Sequence, residues 1–171
     1  MTVYGSIASA QTFTLKSNSV GGQATIENVF NGFGCTGKNI SPQLTWENAP
    51  QDTKSFAVTI HDPDAPTGSG WWHWLVFDIP ATIRELKANA GNPDAKLAPE
   101  TCIQSMTDFG KGGYGGPCPP EGHGFHQYLI TVYALKTDKL GLDKNANPAL
   151  VGYMLNANTL QKASIVMYYK R

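Results

Sequence analysis

The chain contains 171 residues, of which 13 are basic and 13 acidic, so its formal net charge is zero. That balance argues against a general nucleic-acid-binding protein, which needs a basic surface to displace counterions, and no apolar run approaches the 18 residues that would indicate a membrane-spanning helix. Hydrophobic residues make up 41% of the sequence, which excludes a disordered composition.

The first ten residues allow two interpretations. Ala8-Ser9-Ala10 before Gln11 matches the small-residue pattern of a signal-peptidase site. Residues 1–10 are therefore either the remnant of an export signal, which we favour, or a leading tail whose small residues have no such role. We expect residues 11–171 to form a single domain, as is usual at this length.

Alternation of apolar and polar side chains predicts five strands. They cover residues 12–16, 54–62, 73–79, 127–135 and 164–169. The faces predicted in the second, third and fourth strands are Phe56, Val58 and Ile60; His73, Leu75, Phe77 and Ile79; and Tyr128, Ile130, Val132 and Ala134. Turn residues crowd between these runs, which indicates an all-β sandwich or barrel.

One helix is predicted in the C-terminal half. Asn147 is a suitable N-cap, and Pro148 follows at the first helical position, where its missing N–H costs nothing. Three apolar residues then recur at helical spacing up to about Asn158: Leu150, Met154 and Ala157. We expect residues 135–143 to form a polar loop and residues 90–108 to be extended or irregular.

Two carboxylates follow the second predicted strand on a stiff turn. In Asp62-Pro63-Asp64-Ala65-Pro66, the prolines fix φ and remove backbone donors. The Ala65–Pro66 bond is a candidate for the cis form. The alternative to a functional role is an Asx-type turn that satisfies its own backbone.

Histidines stand at the entrances of the next strands. His73 lies among three tryptophans, and it comes close to the aspartates if its strand pairs with the one before. A Gly- and Pro-rich loop leads into His126 and Tyr128, which have the same parity and so share a face. Backbone N–H groups in such a loop can form an anion-binding concavity. The alternative for either histidine is a structural hydrogen bond.

Taken together, D-P-D-A-P, W-x-H-W and P-P-x-G-x-x-x-H-x-Y resemble motifs of the phosphatidylethanolamine-binding protein family, in particular its bacterial Raf-kinase-inhibitor-like branch. The resemblance extends over residues 13–169. It implies a mostly β protein, a sandwich of two sheets with one helix and an anion pocket at one end, without cofactor, metal or catalytic residues. The ligand-binding residues so implied are Asp62, Asp64, Pro66, Trp71, His73, Pro119, His126 and Tyr128.

The implied partner is a small anion such as phosphate, or a phospholipid headgroup. His73 and His126 would donate ring N–H groups to it and Tyr128 its hydroxyl, so that affinity would rise as the pH falls through about 6.5. The family also includes regulators of kinases or proteases, so a protein partner is an expectation, and the sequence is compatible with a homodimer. The alternatives are a phosphoester hydrolase using His and Asp, and an inhibitor acting through surface loops independently of the pocket.

The resemblance further implies a disulfide between Cys35 and Cys118, with Cys102 left as a free thiol. Such a bridge favours a periplasmic or secreted protein. Two residues depart from the animal members: Gln127 stands where an Arg is frequent, and Cys118 where a Gly is found.

Overall fold

The computed structural model describes residues 11–171, and the predicted export-signal remnant lies outside the described residues. Ten strands are present in this part of the chain: β1 Thr14–Lys16, β2 Asn31–Gly32, β3 Cys35–Thr36, β4 Leu44–Glu47, β5 Ser55–Asp62, β6 Trp71–Pro80, β7 Glu85–Leu86, β8 Ile103–Gln104, β9 His126–Leu135 and β10 Thr159–Tyr169. The helix α1 spans Pro148–Asn158, and a 3₁₀ turn spans Pro93–Ala95. None of the described helices is both long and apolar enough to cross a membrane.

Two sheets face each other across the main core, as predicted. The larger has the order β10-β9-β5-β6-β8 and the smaller β1-β4-β7, while β2 and β3 form a separate ribbon. The strands that line the centre of the larger sheet, β6, β5 and β9, pair antiparallel. Leu15, Leu44 and Trp46 from the smaller sheet share one buried cluster with Phe56 and Ile130 from the larger. The predicted β-sandwich is therefore confirmed.

Helix α1 covers the other face of the larger sheet. The side chain of Asn147 accepts a hydrogen bond from the N–H of Leu150 at 2.9 Å, so the predicted cap and start are confirmed. The buried helix residues are Val151 and Leu155, whereas Leu150, one of the three apolar residues noted in the sequence, is exposed. Both pack against the outer face of the sheet, in a second core cluster with Leu75 and Phe77.

The predicted face of β6 is wrong at two places, since β6 carries two bulges. Ile60 pairs with Trp74 and His61 with Trp72, which leaves His73 as the extra residue between them. Further along β6, a second bulge places two residues of β6 opposite a single residue of β5. A bulge changes the alternation of side chains, so His73 and Ile79 do not share a face with Leu75 and Phe77. Alternation in β5 and β9 is confirmed, because Phe56, Val58, Ile60, Tyr128, Ile130, Val132 and Ala134 all lie in the main core.

Candidate functional site

A cavity of about 200 Å³ opens at one end of the sandwich, where β5 ends and β6 and β9 begin. Seven of the eight predicted ligand-binding residues line it: Asp62, Pro66, Trp71, His73, Pro119, His126 and Tyr128. The remaining lining residues are Phe33, Ala65, Thr67, Phe109, Cys118 and Pro120. Three stretches of chain that are distant in sequence thus converge on one small space.

The turn after β5 holds one carboxylate in the cavity and uses the other to fix β9. Oδ1 of Asp62 accepts from the N–H of Asp64 at 2.9 Å, which is the Asx turn considered above. Asp64 does not line the cavity; its Oδ2 accepts from the N–H of Gln127 at 2.8 Å, beside His126. The Ala65–Pro66 bond, a candidate for the cis form in the sequence, is trans. Gly70 closes the connection with φ of 71°, where a Cβ would lie 2.5 Å from the carbonyl oxygen of Asp62.

Asp62 and His126 form a buried pair at the base of the cavity. Nδ1 of His126 lies 2.8 Å from Oδ2 of Asp62, and neither side chain is more than 4% exposed. A carboxylate in this position orients the imidazole and fixes its proton on Nδ1. The other ring nitrogen, Nε2, is then the one left for the cavity.

His73 reaches the cavity because it is the bulged residue of β6. Its Nδ1 lies 2.6 Å from the carbonyl oxygen of Gly115, and the residue is 4% exposed. A carbonyl oxygen can only accept, so Nδ1 carries the proton. Burial lowers the pKa of His73 from 6.5 to about 4. Near neutral pH the ring is therefore uncharged, and its Nδ1–H is already donated to the carbonyl oxygen of Gly115.

Tyr128 carries a buried hydroxyl that makes no well-formed hydrogen bond to any of the described residues, although the carboxylate of Asp62 lies close enough to interact with it. The ring stands edge-on to His73, with centroids 5.0 Å apart. Burial, assisted by the negative charge of Asp62, raises the pKa of Tyr128 well above its usual value. The hydroxyl therefore keeps its proton near neutral pH and can donate a hydrogen bond.

The wall opposite these polar groups is apolar, and the sequence analysis missed most of it. Phe33, from the turn between β2 and β3, is 67% exposed and stacks on Phe109, with centroids 5.9 Å apart. Cys118 adds its disulfide to Cys35, which the resemblance had implied, and Cys102 is free. The guanidinium of Arg171 donates to the carbonyl oxygen of Phe33 at 3.1 Å. Phe33 lies in the same G-F-G-C segment as Cys35. Its position beside the implied disulfide was the sequence signal that could have placed Phe33 in the cavity wall.

The Gly-rich loop fixes the cavity wall, and two of its amides are already used. The N–H of Gly115 donates to the carbonyl oxygen of His73 at 2.9 Å, and that of Gly116 to Oδ1 of Asn39 at 2.7 Å. These two N–H groups cannot also bind an anion, so this part of the predicted concavity is wrong. A Cβ at Gly116 would lie 2.0 Å from the carbonyl oxygen of Asn28, which explains the glycine there.

The polar side chains that line the cavity include Asp62, Thr67, His73, His126 and Tyr128. Within residues 11–171 no cluster of His, Cys, Asp and Glu is suited to hold a metal ion. Asp62 and His126 form a base with its orienting carboxylate. The side chains of the described lining include no free cysteine and no serine that could serve as a nucleophile.

Comparison with known proteins gives consistent matches along the chain. Residues 16–170 match the family model described as phosphatidylethanolamine-binding protein. The UPF0098 protein YbcL of Escherichia coli K12 is 52% identical over 165 residues, which cover 95% of this chain and 90% of YbcL. YbhB of the same strain is 47% identical over 141 residues, covering 82% of this chain and 88% of YbhB.

A solved structure agrees with these sequence matches. The crystal structure of E. coli YbcL, described as a new member of the mammalian PEBP family, matches with a TM-score of 0.91 and covers 93% of this chain and 98% of that one. The PEBP homolog CT736 of Chlamydia trachomatis, at 23% identity, has a TM-score of 0.76 and covers 93% of this chain and 97% of that one. The second match shows the fold alone.

Proposed function

The chain belongs to the phosphatidylethanolamine-binding protein family, and from that membership and the cavity we propose that it binds a small oxyanion, namely a phosphate group that is free or part of a phospholipid headgroup. The observation that carries the proposal is the buried Tyr128 hydroxyl, which makes no well-formed hydrogen bond to the described residues and faces the same cavity as His73 and His126. Leaving such a group unpaired costs free energy, and an oxyanion would satisfy it.

The size and lining of the cavity support a small guest. About 200 Å³ accommodates a phosphate group with a short substituent but falls below the usual volume of drug-sized ligand sites. The apolar wall of Phe33, Phe109 and Trp71 suits the carbon atoms of such a substituent or the face-on approach of an ammonium group. A zwitterionic headgroup would use both the polar groups and the apolar wall of the cavity.

Isothermal titration calorimetry with inorganic phosphate tests the proposal. Native protein should bind, and Tyr128→Phe should bind about tenfold more weakly because it loses one hydrogen bond. Tyr133→Phe is the matched control, since Tyr133 lies on the same strand but packs in the outer cluster. Tyr128→Phe should be at least as stable as native protein towards urea. No binding by native protein, or equal binding by Tyr128→Phe, would contradict the proposal.

The second candidate is a phosphoester hydrolase, which the Asp62–His126 pair favours. We propose binding instead, because a general base without a nucleophile or a metal ion lacks the rest of the machinery. Incubation with p-nitrophenyl phosphate distinguishes the two. Turnover that disappears in His126→Asn would replace binding with hydrolysis as the function.

Two further expectations stay predictions. Regulation of a kinase or protease, if independent of the cavity, would survive His73→Asn and His126→Asn in an inhibition assay. A periplasmic or secreted location is supported by the disulfide between Cys35 and Cys118, and fractionation of cells producing the protein checks it.

A further inference from the structure

Two peptide units of the Gly-rich loop are each held from both ends. Gly115 makes two contacts with His73: its N–H donates to the carbonyl oxygen of His73 at 2.9 Å, and its own carbonyl oxygen accepts from Nδ1 at 2.6 Å. The groups that flank Gly115 contact the side chain of Asn39. Nδ2 of Asn39 donates to the carbonyl oxygen of Tyr114 at 3.1 Å, and its Oδ1 accepts from the N–H of Gly116 at 2.7 Å.

These four contacts belong to only two rigid groups. The carbonyl of Tyr114 and the N–H of Gly115 share one planar peptide unit, and the carbonyl of Gly115 and the N–H of Gly116 share the next. In a trans peptide the carbonyl and the N–H point to opposite sides. Each unit is therefore fixed by Asn39 at one end and directed at His73 by the other.

The Asn39 amide is the only partner that the outer groups have. Within residues 11–171, neither the carbonyl oxygen of Tyr114 nor the N–H of Gly116 makes another hydrogen bond. Both residues are buried, so loss of the amide would leave a donor and an acceptor unpaired at a cost in free energy. An amide turned the other way would oppose donor to donor, so the contacts also fix its orientation.

The backbone presents this amide from an anchored position that suits asparagine. Asn39 has φ of 56°, in the left-handed region that asparagine tolerates better than most side chains. Its N–H donates to the carbonyl oxygen of Val29 at 2.8 Å, and that of Ile40 to Glu27 at 2.7 Å. A glycine would accept the backbone conformation without supplying an amide, and an ionised aspartate would lack the donor for Tyr114.

We propose that Asn39 is a positioning residue of the cavity, which holds His73 in place and keeps the proton of its neutral ring on Nδ1 by orienting the two peptide units around Gly115. Asn39 does not itself line the cavity, so it acts on a guest only through Gly115 and His73. For phosphate this role rests on the proposed function, whereas the state of the His73 ring can be measured without any guest.

Asn39→Gly removes the amide and keeps a residue that accepts positive φ. Asn48→Gly is the matched control: Asn48 has φ of 58° and is exposed outside the cavity lining, and its amide donates to the carbonyl oxygen of Thr12 at 3.2 Å. The two variants make the same substitution in the same backbone conformation, and only the first releases the peptide units beside His73.

Long-range ¹H–¹⁵N spectra at about pH 7, without phosphate, report the ring. Native protein and Asn48→Gly should show His73 with its proton on Nδ1. Asn39→Gly should show a population with the proton on Nε2, because the acceptor at Nδ1 is no longer held in place. His123, which is exposed and outside the cavity lining, should give the same signals in all three proteins. An unchanged His73 ring in folded Asn39→Gly would overturn the inference and leave the proposed function standing.

Calorimetric titration with inorganic phosphate shows whether the effect reaches a guest. Asn39→Gly should bind about fivefold more weakly than native protein, as for the loss of about one hydrogen bond, and Asn48→Gly should bind as native protein does. Native affinity in Asn39→Gly would also overturn the inference. If native protein binds no phosphate, the proposed function fails, and the ring spectra alone decide whether Asn39 positions His73.

Hydrogen exchange in native protein tests the contacts without a substitution. The N–H groups of Gly115 and Gly116 should exchange slowly and at rates within about tenfold of each other, because both are held by the same pair of anchored peptide units. A larger excess for Gly116 would show that Asn39 does not hold it, and would overturn the inference whether or not Asn39→Gly folds.

Discussion

His73 shows how the fold changes the chemistry of a single residue. In the sequence it is a histidine among tryptophans, and the ordinary expectation is a ring that gains charge near pH 6.5. In the structure it is buried, bonded through Nδ1 to Gly115, and its pKa falls to about 4 because burial disfavours the charged form. The predicted rise of affinity with falling pH can therefore not come from His73.

The same shift makes a prediction about acid stability. Between about pH 6.5 and pH 4 the unfolded chain takes up a proton at His73 that the folded protein does not, so the free energy of unfolding should fall as the pH falls through that window. From the shift of 6.5 to about 4, the loss is about 3 kcal/mol. Urea denaturation at several pH values between 7 and 4 measures it.

Between about pH 6.5 and pH 4, the free energy of unfolding of His73→Asn should fall less than that of native protein, whatever its stability at pH 7. Asp78, whose pKa is raised by burial, acts in the opposite sense, but it is common to both proteins and cancels in the difference. His123→Asn should lose as much stability as native protein. Parallel curves for native protein and His73→Asn would contradict the assigned cause.

At the scale of elements, the bulges of β6 determine which side chains meet. In a regular strand Trp72 and Trp74 would share a face; because His73 is an extra residue between their paired positions, Trp72 packs in the outer cluster and Trp74 in the main core. His73 itself then points to the cavity beside Tyr128. Bulges near binding sites commonly redirect a side chain in this way.

Helix α1 offers a test that separates the scaffold from the site. Asn147→Ala removes the cap of the helix and should lower the free energy of unfolding by about 1 kcal/mol. Asn145→Ala is the matched control, because Asn145 is exposed in the preceding loop. Phosphate affinity should be unchanged in both, since neither residue lines the cavity. Equal stability of the two variants would contradict the assigned cap.

Across the whole molecule, the disulfide ties together regions that are 83 residues apart. One end lies on β3 and the other in the Pro-rich wall beside Pro119, and the cavity opens between Phe33 and that wall. The bridge thus constrains both the unfolded chain and the mouth of the cavity.

Removing the bridge should reduce both stability and binding. In the chain-entropy model a loop of this length contributes about 4–5 kcal/mol, so Cys35→Ser with Cys118→Ser should unfold at markedly lower urea and bind phosphate more weakly. Cys102→Ser, which removes the free thiol, is the matched control and should lose much less stability and phosphate affinity. Thiol titration of unfolded, unreduced native protein should find one group, and finding three would contradict the disulfide.

The sequence by itself determined the strands β5 and β9, the start of helix α1 and seven of the residues that line the cavity. Alternation and capping are local properties, and distinctive motifs at Asp62, His73 and His126 carry the resemblance. Only the tertiary structure decided the bulged position of His73, its tautomer, the use of the loop amides and the apolar wall at Phe33. These depend on strand register, burial and partners far away in the chain, for which one segment of sequence holds no information.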